Sequence, residues 1–332
     1  MKRRIAVFAL FAWLASAAGP VRVILDTDLG PDCDDAGAIA MLHALADRGE
    51  ALPLAILCNT TSEWCAPAVD AINAAYGRRE LSVGTLKRPG NPGGGPEWNG
   101  ESFNRYLAAH YPNRFGTGRN APDALELYLR LLKAQPDGSV AIVSIGNLTN
   151  LRDLLAAAPD LVRRKVRVLS VMGGRYPRGK ESNLTADLEA SKAVLARWPA
   201  PVMFSGFEIG DRIFTGQGLW DGRPATDPVR MAYWLWDKEF RRRWEKNYDG
   251  GRIRPHPSYD QTALLYAVRG LAGYWTARTH GTNRLLADGI NEWLSAPDRG
   301  HSYLVERMPP ERVAAVIEEL MLATRPARVR ER

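Results

Sequence analysis

The chain has 332 residues, 45% of them hydrophobic and 24% charged, enough apolar material for a sizeable core in one large α/β domain or two smaller ones. Its formal charge is +7, and setting aside the three charges of Lys2, Arg3 and Arg4 at a leader-like start leaves +4 (7 − 3). Part of that remainder sits in the basic tail 325–332, so the body is near neutral and nothing points to a nucleic-acid partner.

In chain order, the leader comes first. Lys2, Arg3 and Arg4 precede apolar Ile5 to Leu14 and a small-residue exit, Ala15-Ser16-Ala17, the form of a secretory signal peptide. Residues 1–17 are therefore expected to be removed, leaving a periplasmic or secreted protein with no membrane association. The apolar run is too short to span a bilayer, and no later stretch is longer. Residues 18–324 then read as a single domain, and 325–332 as a frayed, disordered tail.

Short apolar strands are predicted at Val21–Asp28, Leu52–Asn59, Leu81–Leu86, Val140–Ile145, Lys165–Met172 and Pro201–Glu208. Helical patterns at 35–48, 65–77, 122–134, 149–157 and 185–197 lie between them. This alternation implies an α/β fold: a single open, mostly parallel central sheet with helices on both faces, of Rossmann-like topology. In such folds the ligand site lies beyond the carboxyl ends of the strands. Polar residues gather there: Asp26 and Asp28, Asn59 and Thr60, Gly146 to Asn150, Gly173-Gly174, Glu181 to Asn183, and Glu208. Two regions break the rhythm. Residues 87–120 are rich in Gly, Pro and Asn. Residues 215–256 read as a largely helical insertion whose tryptophans, Trp220, Trp234, Trp236 and Trp244, are expected to be core rather than a binding platform.

Three cysteines, Cys33, Cys58 and Cys65, leave at least one thiol unpaired. A Cys58–Cys65 bridge and three unbridged, buried thiols are both compatible with the sequence. None of the five histidines falls in an H-x-x-x-H or H-E-x-x-H pattern and no C-x-x-C occurs, which argues against a zinc hydrolase.

The densest chemistry is the turn after the first strand, where Asp26, Asp28, Asp32, Asp34 and Asp35 fall within ten residues. Their mutual repulsion is costly unless a cation lies among them, and a hard divalent ion with oxygen ligands offsets it best. Helix capping by Asp34 and Asp35 explains two of the five. An EF-hand fails, because its required Gly falls on Pro31 and its final Glu on Gly37. A phosphatase of the haloacid-dehalogenase type needs no Asp34-Asp35 pair.

Asp26-Thr27-Asp28-x-Gly30 followed by Asp34-Asp35-x-x-Ala38 resembles the N-terminal signature of the inosine–uridine-preferring nucleoside hydrolases. Asn59, Gly146-Asn147-Leu148-Thr149-Asn150, Met172-Gly173-Gly174 with Glu181-x-Asn183, and Asp260 in Tyr259-Asp260-Gln261 match further family motifs in order. The resemblance implies a ribonucleoside N-glycosidase that releases ribose and a base. It implies Ca2+ held by Asp28, Asp35, Asp260 and the Thr149 carbonyl, with Asp28 as general base. Asp34, Asn59, Glu181 and Asn183 would bind the sugar, and Asp26 would orient the turn.

Three departures bear on the chemistry, one of them Ser182, which stands where the family has an aromatic between Glu181 and Asn183. The acidic turn is two residues longer than the family's, which leaves Asp32 without a role and reading as solvent-facing. Tyr259 stands where many members have a His that protonates the leaving group, so it is the candidate acid, and a weak one at a pKa near 10. His256, three residues earlier, is the alternative acid, although its position reads as that of a surface-loop histidine. Rival readings are hydrolysis of another ribosyl or glycosyl compound, and a non-catalytic calcium-dependent ribose-binding protein. The implied partner is a small nucleoside or ribosyl molecule, and a homo-oligomer is left open.

Overall fold

A computed structural model describes residues 19–93, 102–242 and 251–323. The leader 1–17, the tail 325–332, Trp244 and part of the Gly/Pro segment lie outside the described residues. The first strand, β1 (Val21–Thr27), is an apolar run buried on both faces, as a central parallel strand must be. It pairs in parallel with β2 (Ala51–Cys58) on one side and β4 (Val140–Ser144) on the other. Outward from β2 lies β3 (Ser82–Thr85), and outward from β4 lie β5 (Val166–Met172) and β7 (Val202–Ser205). All six predicted strands are present, and they form the parallel half of the sheet.

The sheet then extends beyond the predicted set. β12 (His301–Glu306) pairs in parallel with β7, and the long β10 (Trp275–Leu285) pairs antiparallel with β12. β11 (Ile290–Leu294) and β6 (Arg178–Lys180) complete a ten-stranded sheet of order β3-β2-β1-β4-β5-β7-β12-β10-β11-β6. A separate two-stranded ribbon joins β8 (Phe214–Thr215) to β9 (His256–Pro257). Glu208, expected to close the sixth strand, instead sits in the short helix Phe207–Gly210 and accepts the Tyr176 amide.

Helices cover both faces. Asp34–Asp47 follows the acidic turn and is buried from Asp34 to Leu45, packed between Tyr259–Arg269, Pro310–Leu322 and Pro228–Arg242. Gly37 permits that close packing, because a Cβ there would fall 2.6 Å from Gln261 Nε2. Among its described residues the Gly/Pro-rich region contains the α-helix Phe103–His110 and a 3-10 turn at Gly118–Asn120. Cys58 and Cys65 form a disulfide with Cα atoms 6.3 Å apart, and Cys33 is buried and unpaired.

Candidate active site

At β1 and β4 the strand order reverses: β2 and β3 lie to one side, β5 and β7 to the other. The loops leaving the two carboxyl ends therefore diverge and open a crevice. A cavity of about 740 Å³ lies there, with Asp28, Asp32, Asp35 and Asp260 among its lining residues. Close approach of the strand ends depends on Gly146, where a Cβ would lie 2.7 Å from the Asp28 carboxylate and 2.8 Å from Asn59 Nδ2.

Asp32, Asp34, Asp35 and Asp260 each bring a carboxylate oxygen within 4.8 Å of the others. Asp32, expected to face solvent, turns inward and belongs to this cluster. Asp34, only 1% exposed, receives the Tyr259 and Asp260 amides on Oδ2 at 2.9 and 3.0 Å. Its Oδ1 is buried without a hydrogen-bond partner. Asp35 accepts a short hydrogen bond from Thr27 Oγ1. Burial, reinforced by neighbouring carboxylates, pushes the proton affinities of Asp34, Asp35 and Asp260 well up. Asp28 is raised to about 8 by burial and then by Asp32. Hard oxygen donors that resist ionising together, one of them an orphaned buried atom, suit a divalent cation.

Asp26 stands behind this cluster, fully buried. It accepts Asn59 Nδ2 and the Tyr128 hydroxyl at 2.8 Å and Asn150 Nδ2 at 3.0 Å. Burial raises its pKa to about 6. Asn59, expected at the sugar, is committed to Asp26 through Nδ2 and to Asn147 through Oδ1, and is not among the lining residues. Thr149, expected to offer its carbonyl to the metal, begins the helix Thr149–Ala157 and does not line the cavity either. At that strand end Ile145 does. Glu181 and Asn183 stand on the cavity wall. Glu181 accepts the Gly174, Asn183 and Leu184 amides and the Ser182 hydroxyl, which fixes it rigidly. Asn183 Nδ2 donates to the Met172 carbonyl at 3.2 Å.

The opposite wall is aromatic. Phe207 and Tyr259 stack with centroids 5.0 Å apart, and Trp236 and Phe240 stack at 4.9 Å and 8°. All four line the cavity, so Trp236 is not merely core, while Trp220 and Trp234 do pack against the core. Trp236 Nε1 donates to the Pro31 carbonyl at 3.2 Å, tying the helix Pro228–Arg242 to the acidic turn. The Tyr259 hydroxyl donates to Asp211 at 3.0 Å, and burial together with that carboxylate drives its pKa up. His256 is buried rather than on a surface loop. Its Nε2 lacks a partner and lies 3.9 Å from Asp34 Oδ1.

The sequence model of the inosine–uridine-preferring nucleoside hydrolases matches residues 23–307. The chain belongs to that family. A plant nucleoside hydrolase has a similar structure, with a TM-score of 0.67 at 23% identity over 92% of this chain and 99% of that one. A purine-preferring ribonucleoside hydrolase from Gardnerella vaginalis superposes with a TM-score of 0.69 at 18% identity, covering 91% and 98%. A type III effector protein complexed with adenosine diphosphate ribose superposes at 0.67 with 16% identity, covering 91% and 92%. A sequence search of curated proteins finds no match.

Family membership makes this protein a ribonucleoside N-glycosyl hydrolase. Within this nucleoside hydrolase, sequence reasoning missed Asp32, Trp236, Phe240 and Asp237 as cavity residues, and raised His256 only as an alternative acid. Only Asp32 carried a usable signal, as an acid inserted into a turn already rich in acids. The others come from the insertion at 215–256 and from the ribbon strand β9, whose approach to β1 is set by tertiary packing.

Proposed function

We propose that this nucleoside hydrolase is calcium-dependent and works outside the cytoplasm, cleaving the N-glycosidic bond of a ribonucleoside bound with its sugar toward the acids and its base toward the aromatic wall. The observation that carries this reading is the mutual approach of Asp32, Asp34, Asp35 and Asp260 within 4.8 Å, with Asp28, Asp32, Asp35 and Asp260 lining the cavity. Asp28, Asp35 and Asp260 would hold the ion, with Asp34 and Asp32 completing the acidic set. Bound calcium would supply a Lewis-acid centre for the ribose hydroxyls and the attacking water. The leader and the Cys58–Cys65 bridge support an oxidising, periplasmic or secreted location.

The protein's own groups account for the remaining steps. Asp28, ionised when the cation is bound, takes the proton of the attacking water on its carboxylate. Glu181 and Asn183, held by the hydrogen bonds described above, fix the sugar so that the water faces the anomeric carbon. The surrounding carboxylates stabilise the oxocarbenium-like ribosyl as the bond breaks. Tyr259 offers a ring face to the base, because its hydroxyl is occupied by Asp211.

Arg241 and Arg254 also line the cavity, and a structural neighbour holds adenosine diphosphate ribose. These two observations favour a second reading, in which the ribosyl compound carries phosphate. Release of the free base from a panel of nucleosides and from ADP-ribose, with and without a calcium chelator, tests both. Turnover that is indifferent to chelation would remove the calcium assignment. Ribose binding without turnover of any compound would remove the catalytic one.

A further inference from the structure

We infer that Asp32, Asp34 and His256 form a second cation site, adjoining the all-oxygen site proposed for calcium and sharing Asp32 and Asp34 with it, and that it takes a divalent transition ion such as Zn2+. The inference rests on the calcium reading only for the identity of the neighbouring ion.

One ligand atom from each of the three residues lies within 4.8 Å of the other two. Two of these atoms are buried and lack partners: Asp34 Oδ1 and His256 Nε2, on residues 1% and 8% exposed. They face each other at 3.9 Å, too far for a hydrogen bond. Leaving such atoms buried and unpaired is costly, because their lost hydration is not replaced. At tetrahedral angles an ion with metal–ligand bonds of about 2.0–2.2 Å spans ligands roughly 3.3–3.6 Å apart, so the two atoms need close by only a few tenths of an ångström to hold one.

Both ligands are held in place. Asp34 Oδ2 is locked by the Tyr259 and Asp260 amides, which leaves Oδ1 aimed at the gap. The His256 ring packs edge-on to Trp236 with centroids 4.4 Å apart. The donor set differs from its neighbour in kind. An imidazole nitrogen with two carboxylates suits zinc and other first-row ions, whereas carboxylates alone suit calcium. Shared carboxylates would place the two ions roughly 3.5–4 Å apart, the spacing of two-metal hydrolytic centres. Asp32 and His256 both line the cavity, so the site has a face open to substrate oxygen.

The test is metal content of the untagged full-length protein, equilibrated with calcium and then with zinc. Calcium and zinc should be retained together at about one equivalent each. His256→Ala should lower bound zinc about tenfold or more while calcium stays. Zinc displacing calcium one for one, or zinc retained undiminished by His256→Ala, would overturn the second site. Zinc bound through His256 with no calcium would leave this site standing and sink the calcium reading instead. Independently of any variant, Cu2+ placed in the wild-type site should show imidazole-nitrogen coupling by pulsed electron paramagnetic resonance. Its absence would also overturn the assignment.

Discussion

Raising the pH of the chelated protein from about 6.5 to about 8.5 should destabilise it, and calcium should abolish that loss. The folded protein holds Asp28 protonated up to about pH 8, whereas the unfolded chain releases that proton near 3.8. A folded-state pKa above the unfolded one gives stability that is complete below the lower value and lost as pH rises through the higher. His256 and His301 act in the opposite direction, since burial depresses both, but only below their ordinary pKa of 6.5. Asp26, raised to about 6, has largely finished titrating by then. From about pH 6.5 to 8 Asp28 alone removes roughly 2 kcal/mol, at about 1.36 kcal/mol per unit. Asp34, Asp35 and Asp260 add to the loss with the same sign. For a chain of this length roughly 2 kcal/mol lowers Tm by about 3 °C. A bound divalent cation favours the ionised carboxylates and flattens the slope. At about a thousandfold excess over its Kd it also adds roughly 4 kcal/mol, or about 6 °C. Circular-dichroism melts across this window, with chelator and with excess calcium, measure both effects. A chelated protein whose Tm holds or rises with pH would refute the protonated cluster, and a calcium effect that does not widen with pH would refute its link to the metal.

Asp28→Asn should lower kcat by about 10²–10⁴-fold while ribose binding, read by calorimetry, persists; parallel loss of both would make Asp28 a binding group only. Tyr259→Phe should keep kcat/KM within a few fold, because the hydroxyl it deletes bonds Asp211. A loss above about 10²-fold would restore that hydroxyl as the leaving-group acid. Gly146→Ala should destabilise the fold by about 1–3 kcal/mol in denaturant melts, since its Cβ meets Asp28 and Asn59. Unchanged stability would mean that the β4 end yields freely.

The parallel half of the sheet was legible because buried parallel strands carry near-continuous apolar runs, and β1, β2, β4 and β5 do, broken mainly by Arg22 and Asp26 in β1 and by Arg167 and Ser170 in β5. β10, β11 and β12 were not, because residues such as Thr276, Arg278, Thr282 and Arg284 in β10 give no apolar run. These strands are placed by register with one another and with β7. The site divides along the same line. Asp28, Asp35, Glu181, Asn183 and Asp260 stand at the cavity where family motifs put them. Asn59 and Thr149 are absent from the cavity lining, Asn59 being bonded to Asp26 and Asn147. Asp32 shows most sharply what the sequence leaves open. The extra length of its turn is visible in the sequence, but the direction of the turn is not. Pro31 beside it is held by Trp236, 205 residues away, on a helix that also brings Asp237 and Phe240 to the cavity. An inserted acid with no distant anchor turns to water, where its charge costs nothing. Held this way, it adds to the repulsion among Asp28, Asp34 and Asp35, so the same contact that closes the aromatic wall strengthens the demand for a cation beneath it.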